Sequence, residues 1–124
     1  MNSRYFKPYE IECRCGCGAN NFSKETLAKL DNARGLANIP FVLSSACRCE
    51  EHNDNEGGKE HSSHISTDDR ECTAVDIETK SSRHRFLILE SLLLAGFTRI
   101  GIAKSFIHAD TDSSKASSVT WVYS

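Results

Sequence analysis

Thr73-Ala74-Val75-Asp76-Ile77 and Phe106-Ile107-His108-Ala109-Asp110 decide how this chain is read. Each is a short apolar run of strand-forming length that carries a polar, chemically competent side chain inside it. A buried carboxylate without a partner is expensive. Asp76 therefore either lies on a solvated sheet face or is compensated by a cation. His108 poses the same question for an imidazole. Alternate side chains of a strand share a face, so Asp110 points to the same side as His108.

Outward from these two runs, the chain alternates ordered and irregular segments. Residues 1–22 read as irregular, with Phe6, Tyr9 and Ile11 as apolar anchors. Ser23 is a good N-cap for a helix running to about Leu36, because Leu27, Leu30 and Ala33 recur at helical spacing. Pro40 introduces an apolar strand, Phe41 to Ser45, short enough for a central place in a sheet. Residues 46–73 are polar, and so long an excursion without periodicity is either functional or mobile. Within it Glu50 to Asn55 reads as a short helix ended by Gly57-Gly58. Ser81 or Ser82 caps the strongest helix, which carries Phe86, Leu89, Leu92 and Leu93 and stops at Gly96. Strands are expected over Phe97 to Ile102, Phe106 to Asp110 and Val119 to Tyr123, with Asp112 to Ser118 as a hairpin loop. The pattern predicts an α+β domain with helices packed on one antiparallel sheet.

The 124 residues support one domain, spanning 1–124. The hydrophobic fraction of 39% and charged fraction of 26% are those of a folded globular chain. A net charge of −2 gives no argument for nucleic acid as a partner. No apolar run approaches the length of a membrane span. The N-terminal stretch lacks the apolar core of a signal peptide, so cytoplasmic synthesis is expected. Six cysteines in that compartment are expected to stay reduced. Cys13, Cys15 and Cys17 alternate, unlike the Cys-x-x-Cys knuckle of structural zinc, and their local sequence offers no fourth ligand. Cys47, Cys49 and Cys72 could complete a second metal site or a bridge.

His64, in Ser62-Ser63-His64, joins Asp76 and His108 as a candidate ligand set. Two imidazoles and one carboxylate leave the fourth position of tetrahedral zinc open for water. Such an ion generates a nucleophile near neutral pH and polarises a carbonyl. Asp110 is the nearest candidate for a general base, or for an acceptor behind a ligating imidazole. Arg48 offers a bidentate fork to a substrate carboxylate. His52, His61 and His84 are competing imidazoles. His61 ranks below His64 because Gly58, Ser62 and Ser63 disfavour the helix it would need to share a metal.

These contexts resemble the zinc D-Ala-D-Ala carboxypeptidases and phage L-alanyl-D-glutamate endolysins, in the short single-domain branch. The resemblance is carried by Ser62-Ser63-His64, Ala74-Val75-Asp76 and Ile107-His108-Ala109-Asp110. Ser45-Ala46-Cys47-Arg48, His52-Asn53, Gly57-Gly58, Gly96 to Gly101 and Trp121-Val122-Tyr123 extend it, as does the entry segment Cys13-Arg14-Cys15-Gly16. It implies a Hedgehog/DD-peptidase-like fold, Zn2+ held by His64, Asp76 and His108, and Arg48 as the carboxylate anchor. The implied reaction is hydrolysis of an amide bond in a peptidoglycan stem peptide, by a phage- or prophage-encoded enzyme; the sequence leaves the oligomeric state open, a monomer being favoured. Such an enzyme would reach the cell wall after release or as a virion component.

Two departures stand out. The family run His-x-x-Gly-x-Ala-x-Asp is lengthened, with His64 and Asp76 twelve positions apart, Thr67 to Glu71 extra, and Cys72 in place of Gly. Several relatives carry an acidic base three residues before the last His, where this chain has Ser105. Asp110 then takes that role. Otherwise the domain is a catalytically impaired zinc-containing module that binds cell wall or peptide.

Overall fold

Backbone periodicity and capping set the helices. The computed structural model describes residues 3–59 and 61–123. Within them lie four helices, α1 (Pro8–Ile11), α2 (Lys24–Ala37), α3 (Glu50–Asn55) and α4 (Ser82–Leu94). Ser23 caps α2 by accepting from Thr26 N–H at 3.2 Å, and Ser81 caps α4 by accepting from His84 N–H at 3.0 Å. Gly96, with φ of 101°, turns the chain out of α4. Leu27, Leu30 and Ala33 of α2 pack with Ile88 and Leu92 of α4 in one buried cluster.

Five strands, β1 (Leu43–Ser45), β2 (Ala74–Glu78), β3 (Arg99–Ile102), β4 (Phe106–Asp110) and β5 (Val119–Val122), form one sheet in the order β1-β2-β4-β3-β5. The α+β architecture agrees with the sequence reading, but the sheet is mixed: β3 and β5 run parallel. Phe41 to Ser45 yields only the three-residue β1, which lies at the sheet edge and not at its centre.

The expected hairpin between β4 and β5 does not form, because β4 already has β2 on one side and β3 on the other. β5 pairs instead with the open edge of β3, starting where Val119 faces Arg99. Arg99 also faces Asp110 at the end of β4, so residues 111–118 only have to pass over that end of β3. A strand entering there runs antiparallel to β4 and hence parallel to β3.

Strand alternation gives the sheet two unlike faces. Val75, Ile77, Ile100, Ile107 and Ala109 belong to the apolar cluster shared with α2 and α4. The intervening positions carry Asp76, Arg99, Gly101, His108 and Asp110. Register places Asp76 opposite His108, Gly101 opposite His108, and Arg99 opposite Asp110.

Gly101 is required here. A Cβ on it would meet Trp121 Nε1 at 2.5 Å and Tyr123 at 2.8 Å. Gly101→Val is expected to push Trp121 off the sheet at a cost of about 1–3 kcal/mol. A lowered melting temperature together with altered tryptophan emission would register this; unchanged values of both would show that the ring is not seated there.

Candidate metal centre

Cross-strand pairing makes the centre. Asp76 and His108 are direct neighbours on β2 and β4, and His108 Nδ1 lies 3.0 Å from Asp76 Oδ1. His64 arrives from the polar excursion, its Nε2 3.4 Å from the same oxygen. Ligand bonds of about 2.0–2.1 Å to a tetrahedral ion give ligand–ligand edges of about 3.3–3.4 Å. The two separations bracket that edge, and the ligand atoms of His64, Asp76 and His108 all lie within 4.8 Å of one another. All three side chains are buried.

Each imidazole is fixed from behind. His64 Nδ1 faces the Ala46 carbonyl at 2.7 Å, leaving Nε2 toward Asp76. His108 Nε2 faces Asp110 Oδ2 at 2.7 Å, leaving Nδ1 toward Asp76. An outer acceptor that sets the tautomer and aims the other nitrogen inward is the usual support of a metal-binding histidine. The inner nitrogens of both imidazoles converge on a single buried carboxylate oxygen. The donor set suits a divalent metal.

The segment that carries His64 is tied to the strap holding Arg48. Arg48 N–H donates to the His64 carbonyl at 2.8 Å, and Ser66 N–H donates to the Arg48 carbonyl at 2.7 Å. The extra residues before Asp76 fold back on themselves, with Thr67 and Arg70 paired in both directions at 2.9 and 3.3 Å. Cys72, where the resemblance led a glycine to be expected, is buried in the core and bridges Phe22.

Asp110 is buried behind His108. One oxygen faces His108, and the other accepts from Arg99 Nε at 2.8 Å and Asp112 N–H at 3.0 Å. Of the two roles the sequence left open for it, this placement matches the acceptor behind a ligating imidazole. Arg48 stands beside the trio, with Nη2 3.8 Å from Asp76 Oδ2, and is steadied by Ser45 Oγ and Asn53 Oδ1. His61 is exposed and lines a separate depression, and His84 sits at the start of α4. His52 turns toward Cys13. None of these three joins the trio.

A cleft of about 670 Å³ opens over the centre. Arg48, Glu56, Lys59, Lys115, Trp121 and Tyr123 line it together with the trio. Sequence reading found Trp121 and Tyr123 only through the resemblance. It missed Glu56, Lys59 and Lys115, because nothing local distinguishes a solvated charge from one folded against a cleft.

Charge is tightly coupled in this centre. Burial opposes ionisation of Asp76, but hydrogen bonds from His108 and His64 outweigh it and hold the carboxyl well below its usual range. Burial likewise disfavours the His108 imidazolium, yet Asp110 and Asp76 lift it above its ordinary value. Asp110 is lowered: burial is overcome by His108, the Asp112 N–H and Arg99.

The trio is a candidate site for a divalent metal ion. Residues 4–110 match the family described as Peptidase M15, and the chain belongs to that family of metal-dependent peptidases. No curated protein matches the chain.

Metal-free stability should follow these shifts. The raised His108 contributes fully below 6.5 and less as pH rises through its folded value. The lowered Asp76 and Asp110 contribute above 3.8 and less as pH falls through theirs. Chelated protein is expected to melt highest between about pH 4 and 6.5 and lower at about pH 8. Metal binding needs neutral imidazoles, so the added stabilisation by zinc should grow over the same rise. Melting curves with and without zinc read both trends; a chelated protein most stable at pH 8 would refute the charged pairing.

Proposed function

We propose that the protein is a zinc-dependent hydrolase of amide bonds in peptidoglycan stem peptides, either a D-Ala-D-Ala carboxypeptidase or an endolysin-type endopeptidase. The observation that carries the reading is the pair of imidazoles whose outer nitrogens are already engaged, at Ala46 and Asp110, and whose inner nitrogens meet at Asp76. Zinc bound by this trio supplies a Lewis acid and lowers the pKa of water.

The remaining groups fit an anionic peptide. Both candidate bonds share one feature: the scissile amide nitrogen sits on a carbon that bears a free carboxylate. Arg48 lies 3.8 Å from the ligand carboxylate, the right neighbourhood to grip that group next to the reacting carbonyl. Lys59 and Lys115 add positive charge to the cleft wall. Burial and the nearby Asp76 and Asp110 raise the Tyr123 phenol, so it keeps its proton and can donate to a substrate oxygen.

Asp110 acts through His108 as a positioning residue, since both its oxygens are engaged. Among the described residues, Glu56 is the acidic group lining the cleft outside the trio and its support, and we assign it as proton acceptor. Its Oε1 is oriented by His52 Nε2 at 3.1 Å. One observation favours a binding module without turnover: Ser105, at the usual position of the base, lines a different depression beside Glu78.

Mass spectrometry of muropeptides after incubation distinguishes the readings. Cleavage with loss of a terminal alanine, or release of the stem peptide at D-Glu, is expected and names the bond. Arg48→Ala should raise KM roughly 10- to 100-fold, the worth of a charged hydrogen-bonded contact. Glu56→Gln should lower kcat with zinc retained, whereas Asp110→Asn should weaken zinc binding by about 10- to 100-fold. Peptide binding with intact muropeptides would establish the non-catalytic module instead. Unchanged kcat in Glu56→Gln would remove Glu56 from the mechanism.

A further inference from the structure

Cys13, Cys15 and Cys17 lacked a fourth partner in sequence, and the fold provides one. Cys49, at the start of α3, brings its sulfur to 3.9 Å from Cys13 Sγ and 3.7 Å from Cys15 Sγ, while Cys13 and Cys15 are 3.4 Å apart. The sulfurs of Cys13, Cys15, Cys17 and Cys49 all lie within 4.8 Å of one another. Alternation alone would space such residues along an extended strand. Here residues 14–17 turn, Gly16 and Gly18 take φ of 87° and 82°, and Cys13 N–H closes the loop on the Ala19 carbonyl at 2.8 Å.

We propose that Cys13, Cys15, Cys17 and Cys49 form a second metal site that takes a structural zinc ion as a tetrathiolate.

The distances are those of a coordination shell. Zinc–sulfur bonds of about 2.3 Å in a tetrahedron place neighbouring sulfurs about 3.8 Å apart; the three edges among Cys13, Cys15 and Cys49 run from 3.4 to 3.9 Å, and Cys17 Sγ lies within 4.8 Å of each of them. A disulfide requires about 2.05 Å, and all of these cysteines are free. Core packing does not explain them either, because Cys15 and Cys17 are exposed. Cys47 and Cys72, by contrast, are buried members of the hydrophobic cluster and stand outside this group.

The sulfurs also collect N–H groups, as thiolates do when they carry excess negative charge around a divalent ion. Cys13 Sγ accepts from Cys49 N–H at 3.4 Å, Cys49 Sγ from His52 N–H at 3.3 Å, and Cys17 Sγ from Ala19 N–H at 3.4 Å. His52 Nδ1 lies 3.1 Å from Cys13 Sγ while its Nε2 faces Glu56. On loading, the thiols give up their protons to solvent and no redox change occurs. The ion would pin the N-terminal loop to the segment that continues into Arg48 on one side and, through His52, Glu56 on the other.

The site is independent of the peptidase assignment, and the test separates them. Reduced full-length protein is loaded with zinc, freed of excess ion and weighed by native mass spectrometry. Two ions per chain are expected. The His64→Ala/His108→Ala variant should lose one, and Cys15→Ser/Cys17→Ser should lose the other. Cobalt loading should give a thiolate-to-cobalt charge-transfer band in the wild type and the histidine variant but not in the cysteine variant. Should the cysteine variant fail to fold, alkylation of the wild type still decides. Under reductant, Cys15 and Cys17 should be protected with zinc and labelled with chelator. A wild-type protein without the cobalt band, or with both thiols labelled at full zinc loading, would overturn the proposal.

Discussion

The buried carboxylate of Asp76 is the constraint from which the centre follows. It sits on β2 with His108 directly across on β4, His64 above and Arg48 beside it. Removing one member of such a group leaves an uncompensated buried charge, which is far worse than never having placed it there. The register of β2 on β4 is fixed from the opposite face, where Val75, Ile77, Ile107 and Ala109 meet the helices. A slip of one residue would turn the apolar set outward and the acidic set inward. Hydrophobic packing on one side of the sheet therefore positions the chemistry on the other.

The polar excursion of residues 46–73 reads differently once folded. It is a scaffold, with Ala46 holding the His64 ring and Arg48 hydrogen-bonded on both sides to the segment that follows His64. Thr67 to Arg70 form a turn that closes on itself. Lengthening a surface loop costs little entropy, and a self-paired turn transmits little strain to its ends. This explains how a longer spacing between His64 and Asp76 coexists with an intact trio.

Ties from separate parts of the chain converge on the strap from Ala46 to Cys49. Ala46 supports one imidazole, Cys47 N–H donates to the Ile11 carbonyl at 3.0 Å, Arg48 faces Asp76, and Cys49 joins the sulfur cluster. The N-terminal loop is thereby coupled to the cleft. A cleft wall built of loop rather than strand needs such anchors, because loops lack the mutual hydrogen bonding that keeps a sheet rigid.

The sequence by itself determined what acts over a few residues. Ser23 and Ser81 capped the long helices, Gly96 ended the second, and a period of two placed His108 and Asp110 on one face of β4. Asp76 and His108 were legible as candidate ligands because polar groups inside apolar runs demand an explanation, whereas His64 lies in a polar stretch and was singled out by its Ser62-Ser63-His64 context and the resemblance. Only the tertiary structure decided which groups meet. It chose the open edge of β3 for Val119 to Val122, sent β1 to the sheet margin, turned Asp110 toward the back of His108, and supplied Cys49 to three cysteines far upstream. Those outcomes depend on which edges and faces remain available after the rest of the chain has packed, and no local pattern carries that information.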